Sequence, residues 1–280
     1  MGKVRGQPLG SGDIPSDGGL PLEMGGARWV GADLGCWVRR LGAWLGWGMG
    51  VEGVRVLVTG AGRDTGRLLA VAFAARGAEV VVTARTMGAA EETVGVIRSA
   101  GGTAEAAVLD LADPASIAAL EVDRLDVLVN SAARYLQETA SPEEISDAIA
   151  GAGIGTVLLT ERLLPLLRES ERPDIVNLIS AAGENGQHRS TAHAAFYAAK
   201  HAQAGYAEIL SERVRPEGIR VISLFPPDFV QDGPRETGAE LTAQSVIDCV
   251  LFAVGQPRDC FIRAIHFEQA RHFEQRAPQR

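Results

Sequence analysis

The sequence has little cysteine, no run of basic residues and no long uncharged apolar stretch. Three scattered cysteines are too few for a disulfide framework or a zinc site, which favours a reducing, cytoplasmic setting. They are Cys36, Cys249 and Cys260. A net charge of -8 without clustered Lys or Arg argues against nucleic-acid binding. No apolar stretch has the length of roughly 20 residues that predicts a transmembrane helix.

The composition that remains is that of a globular protein, with an unusual beginning. The chain has 280 residues, of which 46% are hydrophobic and 22% charged, enough for one large α/β domain. Residues 1–53 hold 15 of the 33 glycines and all four tryptophans without clear periodicity. We interpret them as a disordered leader, the alternative being an interfacial helix. The predicted domain spans 54–268, and 269–280 form a C-terminal tail.

From residue 54 onward, short apolar runs alternate with segments of helical periodicity. Predicted strands cover 54–59, 78–85, 104–110, 125–130, 174–180, 218–225 and 261–265. Predicted helices cover 65–76, 89–100, a short segment from Pro114, 142–168, 191–215 and 242–254. This pattern predicts a single doubly wound Rossmann domain of the α/β class, with about seven parallel strands and helices on both faces. Ligands bind such sheets at the carboxyl ends of the strands.

A glycine-rich turn joins the first predicted strand to the first predicted helix. Gly60, Gly62 and Gly66 lie in this turn together with Arg63 and Thr65. Glycine allows close approach of a pyrophosphate, and the helix N-terminus supplies amide donors and partial positive charge. The turn therefore predicts a dinucleotide site, although a tight turn without a ligand fits the same residues.

This turn, TGAGRDTG at residues 59–66, resembles the TGxxxGxG loop of short-chain dehydrogenases. The resemblance extends over about residues 54–265 and implies that the turn binds a nicotinamide cofactor. Asp64 stands in place of the middle glycine, where it could weaken cofactor binding or cap the helix.

Three further segments resemble cofactor motifs of the same family. Asp110 and Leu111 resemble the pair that contacts adenine, and Asn130 and Ala132 match two positions of the NNAG motif. Pro226 begins the segment that in the family forms a Pro-Gly turn beside the nicotinamide. In this chain Pro227 replaces the glycine, so the resemblance is only partial there.

The preferred cofactor is predicted from charge. NAD-binding folds usually carry an acid about 20 residues beyond the glycine loop, but the second strand here ends at Arg85. Arg85 and Arg63 are suited to a 2′-phosphate, because a guanidinium matches phosphate geometry. We therefore expect NADP, with NAD as the alternative.

The resemblance also implies a catalytic set of serine, tyrosine, lysine and asparagine. Ser180 and Lys200 match, but Phe196 occupies the position four residues before the lysine where the family has tyrosine. Tyr197 comes one residue later, and the asparagine position falls on Ala152.

Two interpretations of the missing tyrosine remain open. Tyr197 could take over the role, because residues three apart on a helix are neighbours, although one position rotates a side chain by about 100 degrees. Alternatively Phe196 fills the place and the phenol is lost, in which case Tyr135, His188 or His193 could substitute. The catalytic residues expected from the sequence are Ser180, Tyr197 and Lys200.

The sequence thus predicts an NADP-dependent oxidoreductase acting on a small carbonyl or alcohol. The alternative is a cofactor-binding protein that keeps the fold without the chemistry. No metal site is expected. By resemblance, the helices at 150–168 and 191–215 would pair subunits into a homodimer or homotetramer.

Overall fold

A computed structural model describes residues 50–186 and 192–269, which fold around one parallel sheet. The strands are β1 (Arg55–Val58), β2 (Glu79–Ala84), β3 (Thr103–Val108), β4 (Val127–Asn130), β5 (Asp174–Leu178), β6 (Arg220–Phe225) and β7 (Ala264–His266). The helices are α1 (Asp64–Ala74), α2 (Met87–Ser99), α3 (Pro114–Ala119), α4 (Pro142–Ala148), α5 (Thr156–Arg168), α6 (Ala194–Val214) and α7 (Ala243–Val254). Each predicted strand and helix is present, but the predicted helix at 142–168 is divided and the last strand is shorter and begins three residues later than predicted.

The sheet has the order β3-β2-β1-β4-β5-β6-β7, and all its pairs are parallel. The direction of winding reverses between β1 and β4, so their carboxyl ends flank the crevice in which doubly wound sheets bind ligands. The predicted fold class is therefore confirmed, and β1, β4 and β5 set the location of the site.

Alternate residues of each strand belong to two separate core layers. Val56 and Val58 face the layer that contains Phe73 of α1 and Val250 of α7. Leu57 and its neighbours in the sheet face the second layer. This layer contains Leu128, Ile175, Leu159, Leu163 and Leu210. Successive side chains of a strand point to opposite faces of the sheet. Because both faces are buried, the strands appear in the sequence as continuous apolar runs.

The predicted helix at 142–168 is divided by a π-helical segment, Ile149–Gly155. Its last glycine is sterically required, because a Cβ at Gly155 would lie 1.9 Å from Leu111 O. By length and composition, Pro142–Arg168 could cross a membrane. However, Leu159 and Leu167 are fully buried in the second core layer, which is the position of a core helix.

The folded domain begins earlier than the sequence predicts. Val51, placed in the predicted leader, is buried in the first core layer. Gly53 N donates to Gly77 O at 2.9 Å, and the Arg172 guanidinium donates to Gly50 O. The domain therefore includes residues 50–53, while the rest of the predicted leader and the tail from 270 lie outside the described residues.

A fully buried arginine joins three parts of the chain at the amino edge of the sheet. The Arg220 guanidinium forms two hydrogen bonds with the Asp174 carboxylate, at 2.8 and 2.6 Å. It also donates to the carbonyls of Val254, Gln256 and Cys260, which follow from α7 toward β7. Arg258 reaches the same carboxylate at 2.7 Å from a more exposed position. Because every charge here is paired, the cluster fixes β5, β6 and the α7–β7 connection together.

Candidate functional site

The turn between β1 and α1 requires glycine at two of its positions. Gly60 has φ +66°, and a Cβ there would lie 3.0 Å from Ala132. A Cβ at Gly66 would lie 2.4 Å from Gly60 O, closer than any side chain allows. Gly62 is packed against Ala84 at the end of β2. The loop is thus compressed against the ends of its two neighbouring strands.

A threonine hydroxyl connects this loop to the end of β4. Thr59 Oγ1 accepts hydrogen bonds from the backbone amides of Ser131 and Ala132, each at 3.0 Å. The side chain of Asn130 is turned into the core, where its Nδ2 donates to Asn177 Oδ1 at 2.9 Å. In this structure the Asn130 side chain therefore links β4 to β5, and Ala132 lies against the glycine loop.

Two residues that the sequence analysis did not select hold the carbonyl groups of the loop. Arg67 donates to Gly62 O at 2.7 Å, and Thr93 Oγ1 donates to Ala61 O at 2.9 Å. No side-chain hydrogen bond caps α1 at its first residue. Since a helix N-terminus carries free amide donors and partial positive charge, it fits a phosphate group.

The one feature that does not fit an anion is Asp64. It has φ 50°, in the left-handed region that favours glycine. It does not act as the helix cap, and its exposed carboxylate lies 3.5 Å from Arg63 Nε. Of the two sequence interpretations, a carboxylate that weakens anion binding agrees better with this geometry.

Replacing Asp64 with glycine is therefore expected to stabilise the fold and tighten NADPH binding. Glycine relieves backbone strain of about 1 kcal/mol and removes the negative charge at the helix N-terminus. Thermal unfolding and fluorescence titration measure the two effects. Asp64→Asn is the matched control, because it removes the charge but keeps a side chain at positive φ. A lower unfolding temperature and unchanged affinity in Asp64→Gly would contradict this account.

The two arginines expected to select the cofactor are exposed beside the loop. The side chains of Arg63 and Arg85 are 79% and 58% exposed. Arg85 Nη1 lies 3.9 Å from Asp147, a carboxylate that Arg134 binds more closely, at 3.1 Å. Both guanidiniums can therefore turn toward a phosphate at little cost.

Asp110 and Leu111 follow β3 on the same edge of the sheet. Asp110 Oδ1 accepts a hydrogen bond from Ala112 N at 2.9 Å, and the Leu111 side chain is buried in the second core layer. The Leu111 carbonyl faces Gly155 in the π-helical segment. This pair therefore shapes a turn at the edge, and any cofactor contact is left to its remaining polar atoms.

Ser180 lies in a strained conformation at the end of β5. Its φ is 114°, a value that costs free energy in any residue with a side chain. Ser180 Oγ accepts a hydrogen bond from Ala182 N at 3.2 Å, and Ala181 N donates to Pro226 O at 2.9 Å. The tips of β5 and β6 are thereby joined, and Pro226 acts through its carbonyl group. Strain of this kind is characteristic of functional positions.

Lys200, on α6, lies against the end of β5 and the turn that follows it. A Cβ at Gly183 would lie 2.9 Å from Lys200 O, so this glycine allows the helix to pack on the turn after Ser180. Lys200 Nζ donates to Leu178 O and to Gln203 Oε1, both at 2.9 Å. Burial lowers the pKa of the Lys200 ammonium to about 7.

The ring of Phe196 is packed near this lysine. Phe196 is buried, and its centroid lies 5.8 Å from Lys200 Nζ. The half-buried Tyr197 packs against the cluster formed by Leu136, Ala148 and Phe196. The exposed ring of Tyr135 lies 5.2 Å from the Phe196 ring. The structure thus places the Lys200 ammonium at the end of β5, close to a Phe196 ring that is flanked by Tyr135 and Tyr197.

The remaining candidate catalytic positions are His193, Ala152 and His188. His193 caps α6, since its Nδ1 accepts a hydrogen bond from Ala195 N at 3.1 Å. Ala152, at the expected asparagine position, is buried in the π-helical segment, and His188 lies outside the described residues. Within residues 50–186 and 192–269, no group of three or more His, Cys, Asp or Glu side chains is placed to hold a metal.

The winding of the sheet, the uncapped helix and the glycine turn define a Rossmann fold, the architecture of many dinucleotide-binding proteins. The profile of the short chain dehydrogenase family matches residues 54–239. The chain therefore belongs to the short-chain dehydrogenase family of oxidoreductases.

Known proteins of this family are similar over most of the folded domain. An uncharacterized oxidoreductase of Thermotoga maritima is 33% identical over 193 residues, 66% of this chain and 75% of that protein. The 3-oxoacyl-acyl-carrier-protein reductase of Escherichia coli is 29% identical over 192 residues, 65% of this chain and 76% of that protein. A metagenomic short-chain oxidoreductase solved in complex with NADP has a TM-score of 0.66 and 27% identity, covering 79% of this chain and 98% of that one.

Proposed function

We propose that this protein is an NADP(H)-dependent oxidoreductase that acts on a small carbonyl or alcohol. The observation that carries the proposal is the carboxyl edge of the sheet. There the uncapped N-terminus of α1 lies between the strand ends that lead to Arg85 and to Ser180. The NADP complex of the metagenomic relative and the reductase name of the Escherichia coli relative support the cofactor and the substrate class.

Each part of the edge has a distinct role in this proposal. The amides of the turn at 59–66 bind the pyrophosphate, and Arg63 and Arg85 bind the 2′-phosphate. Asp110, Leu111, Asn130, Ala132 and Pro226 line the rest of the cofactor groove through side-chain or backbone atoms. Lys200 binds the nicotinamide ribose. The cofactor supplies hydride when it is bound.

Ser180 positions the oxygen of the substrate. Its Oγ already accepts a hydrogen bond from Ala182 N, so its own proton remains available for donation. A carbonyl oxygen accepts such a bond more strongly as negative charge develops on it. The proton that completes reduction must come from another group, because a serine hydroxyl is a weak acid.

Tyr197 and Tyr135 are the two phenols close enough to Phe196 to supply this proton. Tyr197 is the residue favoured by the sequence, and it shares α6 with Lys200. Tyr135 packs on Phe196 from the loop after β4. Either phenol would give its proton to the substrate oxygen and regain one from solvent.

The alternative function is that of a cofactor-binding protein without catalysis. The buried Phe196 favours it, because a phenylalanine cannot exchange a proton, and general acid–base assistance is worth about 10²–10⁴-fold in rate. Such a protein would bind NADPH tightly and reduce no member of a broad carbonyl panel.

Fluorescence titration with NADPH and NADH tests the proposed cofactor. We expect tighter binding of NADPH, and we expect Arg85→Ala to weaken NADPH binding about tenfold through loss of a charge-assisted contact. NADH binding should be unchanged in this variant. Arg124→Ala is the matched control, since it removes the same charge at the opposite edge of the sheet. Absence of binding of either nucleotide to the unaltered protein would reject the proposed function.

We further propose that the protein is a cytoplasmic homodimer or homotetramer. Two exposed apolar residues, Ile154 and Leu158, are separated by one helical turn where the π-helical segment meets α5. The exposed Ile209 lies on the adjacent helix α6. Exposed apolar side chains on two packed helices suit a contact with a second subunit.

A further inference from the structure

Three buried polar side chains form a continuous chain of hydrogen bonds beneath the site. Lys200 Nζ donates to Gln203 Oε1 at 2.9 Å, and Gln203 Nε2 donates to Thr156 Oγ1 at 3.0 Å. Lys200, Gln203 and Thr156 are 3%, 3% and 1% exposed. We refer to these three residues as the Lys200 network. It connects the end of β5, through Leu178 O, with α6 and the first residue of α5.

The chemistry of the groups fixes the direction of each bond. An ammonium group only donates, so the oxygen of the Gln203 amide must face Lys200. The amide nitrogen then faces Thr156, whose hydroxyl must accept. Because an amide does not exchange a proton readily at neutral pH, Gln203 can orient Lys200 but cannot act as a proton relay.

Burying the three polar side chains of the Lys200 network costs stability, which indicates that the position of the ammonium has a function. Within the described part of the chain, no carboxylate forms an ion pair with Lys200, and burial alone lowers its pKa to about 7. Buried polar groups are tolerated only when each is hydrogen-bonded, and an aliphatic side chain at position 203 would avoid the requirement.

The scarcity of lysine in the rest of the chain also indicates that the ammonium at position 200 has a function. Of the 27 basic residues, only Lys3 and Lys200 are lysine, and all the others are arginine. A sequence that otherwise places arginine at its cationic positions has lysine at this one. A compact ammonium on a flexible stem thus occupies the site, and Gln203 is the side chain that restrains it.

We propose that Gln203 is a positioning residue that, anchored on Thr156, fixes the Lys200 ammonium beside the end of β5. Thr156 lies four residues beyond Ala152, the position at which the expected asparagine is absent. Thr156, through Gln203, thus connects Lys200 with the helical segment in which the asparagine is expected. The inference deepens the proposed function, in which Lys200 binds the nicotinamide ribose.

The titration of Lys200 in the cofactor-free full chain tests this inference directly. Selective labelling with ¹³C-lysine gives signals from only two side chains, and Lys200→Arg assigns them. We expect Gln203→Leu to lower the pKa of Lys200, because one acceptor of the ammonium is lost, and Gln203→Glu to raise it. Thr156→Val removes only the anchor, and we expect a smaller decrease in the same direction.

NADPH titration supplies the second readout. We expect Gln203→Leu to weaken binding about tenfold or more, and Gln203→Glu to restore most of the affinity. Ser211→Ala is the matched control, because this buried polar residue lies on the same helix α6 away from the network. If Gln203→Leu does not fold, Thr156→Val carries the test.

The outcomes separate this inference from the proposed function. Unchanged titration of Lys200 in Gln203→Leu and Thr156→Val would overturn the positioning role, whatever the protein binds. An altered titration with NADPH affinity within about twofold of the unaltered protein would overturn the link to the cofactor. If the unaltered protein binds no nicotinamide nucleotide, the proposed function fails, while the titration still decides whether Gln203 positions Lys200.

Discussion

Phe196→Tyr is expected to raise kcat for carbonyl reduction by about 10²-fold or more, the range attributed to general acid catalysis. The Phe196 ring is buried and lies 5.8 Å from Lys200 Nζ, so a phenol introduced there would gain its proton-donating group close to an ammonium. Positive charge favours the phenolate and so lowers the pKa of a phenol toward the useful range. Steady-state oxidation of NADPH with a carbonyl panel measures the effect.

The same experiment locates the proton donor of the unaltered protein. Phe196→Leu is the control, since it alters the ring without adding a phenol. If the protein is active, Tyr135→Phe and Tyr197→Phe identify which of the two phenols contributes, by a loss of kcat with little change in KM. A gain of activity in Phe196→Tyr from an inactive background would show that only the phenol is missing. An unchanged, inactive Phe196→Tyr would favour the non-catalytic alternative.

Arg220→Met is expected to lower the free energy of unfolding by about 3–5 kcal/mol. The substitution leaves the Asp174 carboxylate, which is only 2% exposed, with Arg258 as its remaining cationic partner. It also removes the donor that serves the carbonyls of Val254 and Cys260. Chemical denaturation followed by circular dichroism measures the difference.

Arg258→Met is the matched control for this prediction. Arg258 contacts the same carboxylate, but its side chain is 31% exposed and solvent replaces much of its interaction. We expect a loss of about 1 kcal/mol or less. Equal losses of unfolding free energy in the two variants would show that the burial of Arg220 does not determine how much the cluster stabilises the fold.

The fold followed from the sequence because its signals are local. Runs of apolar residues in strands that are buried on both faces, separated by helical periodicity, predict a parallel sheet without further information. The division of the helix at 142–168 was not predicted, since the close approach of Gly155 to Leu111 O depends on two distant segments. The same holds for Val51, which is buried in the first core layer where Gly53 N binds Gly77 O, 24 residues further along the chain.

The sequence predicts only part of the candidate site. The glycine turn, Ser180 and Lys200 were recognisable because motifs preserve their spacing along the chain. Gln203 gave no such signal, and its role depends on the contact of α6 with α5. The scarcity of lysine in the sequence could have drawn attention to the helical neighbours of Lys200, Gln203 among them. The proton donor stays a prediction, since Tyr135 and Tyr197 come to Phe196 from different segments.

Gly50 and Gln269 are bound to the domain at opposite edges of the sheet. Gly50 is held by Arg172 at the amino edge, whereas Gln269 donates to Asp228 O in the loop that follows β6. A label attached at position 269 would therefore lie beside the loop after β6, on the same side of the sheet as the proposed cofactor groove. A label at position 50 would lie at the opposite edge, which makes it the better position for following cofactor binding without obstructing it.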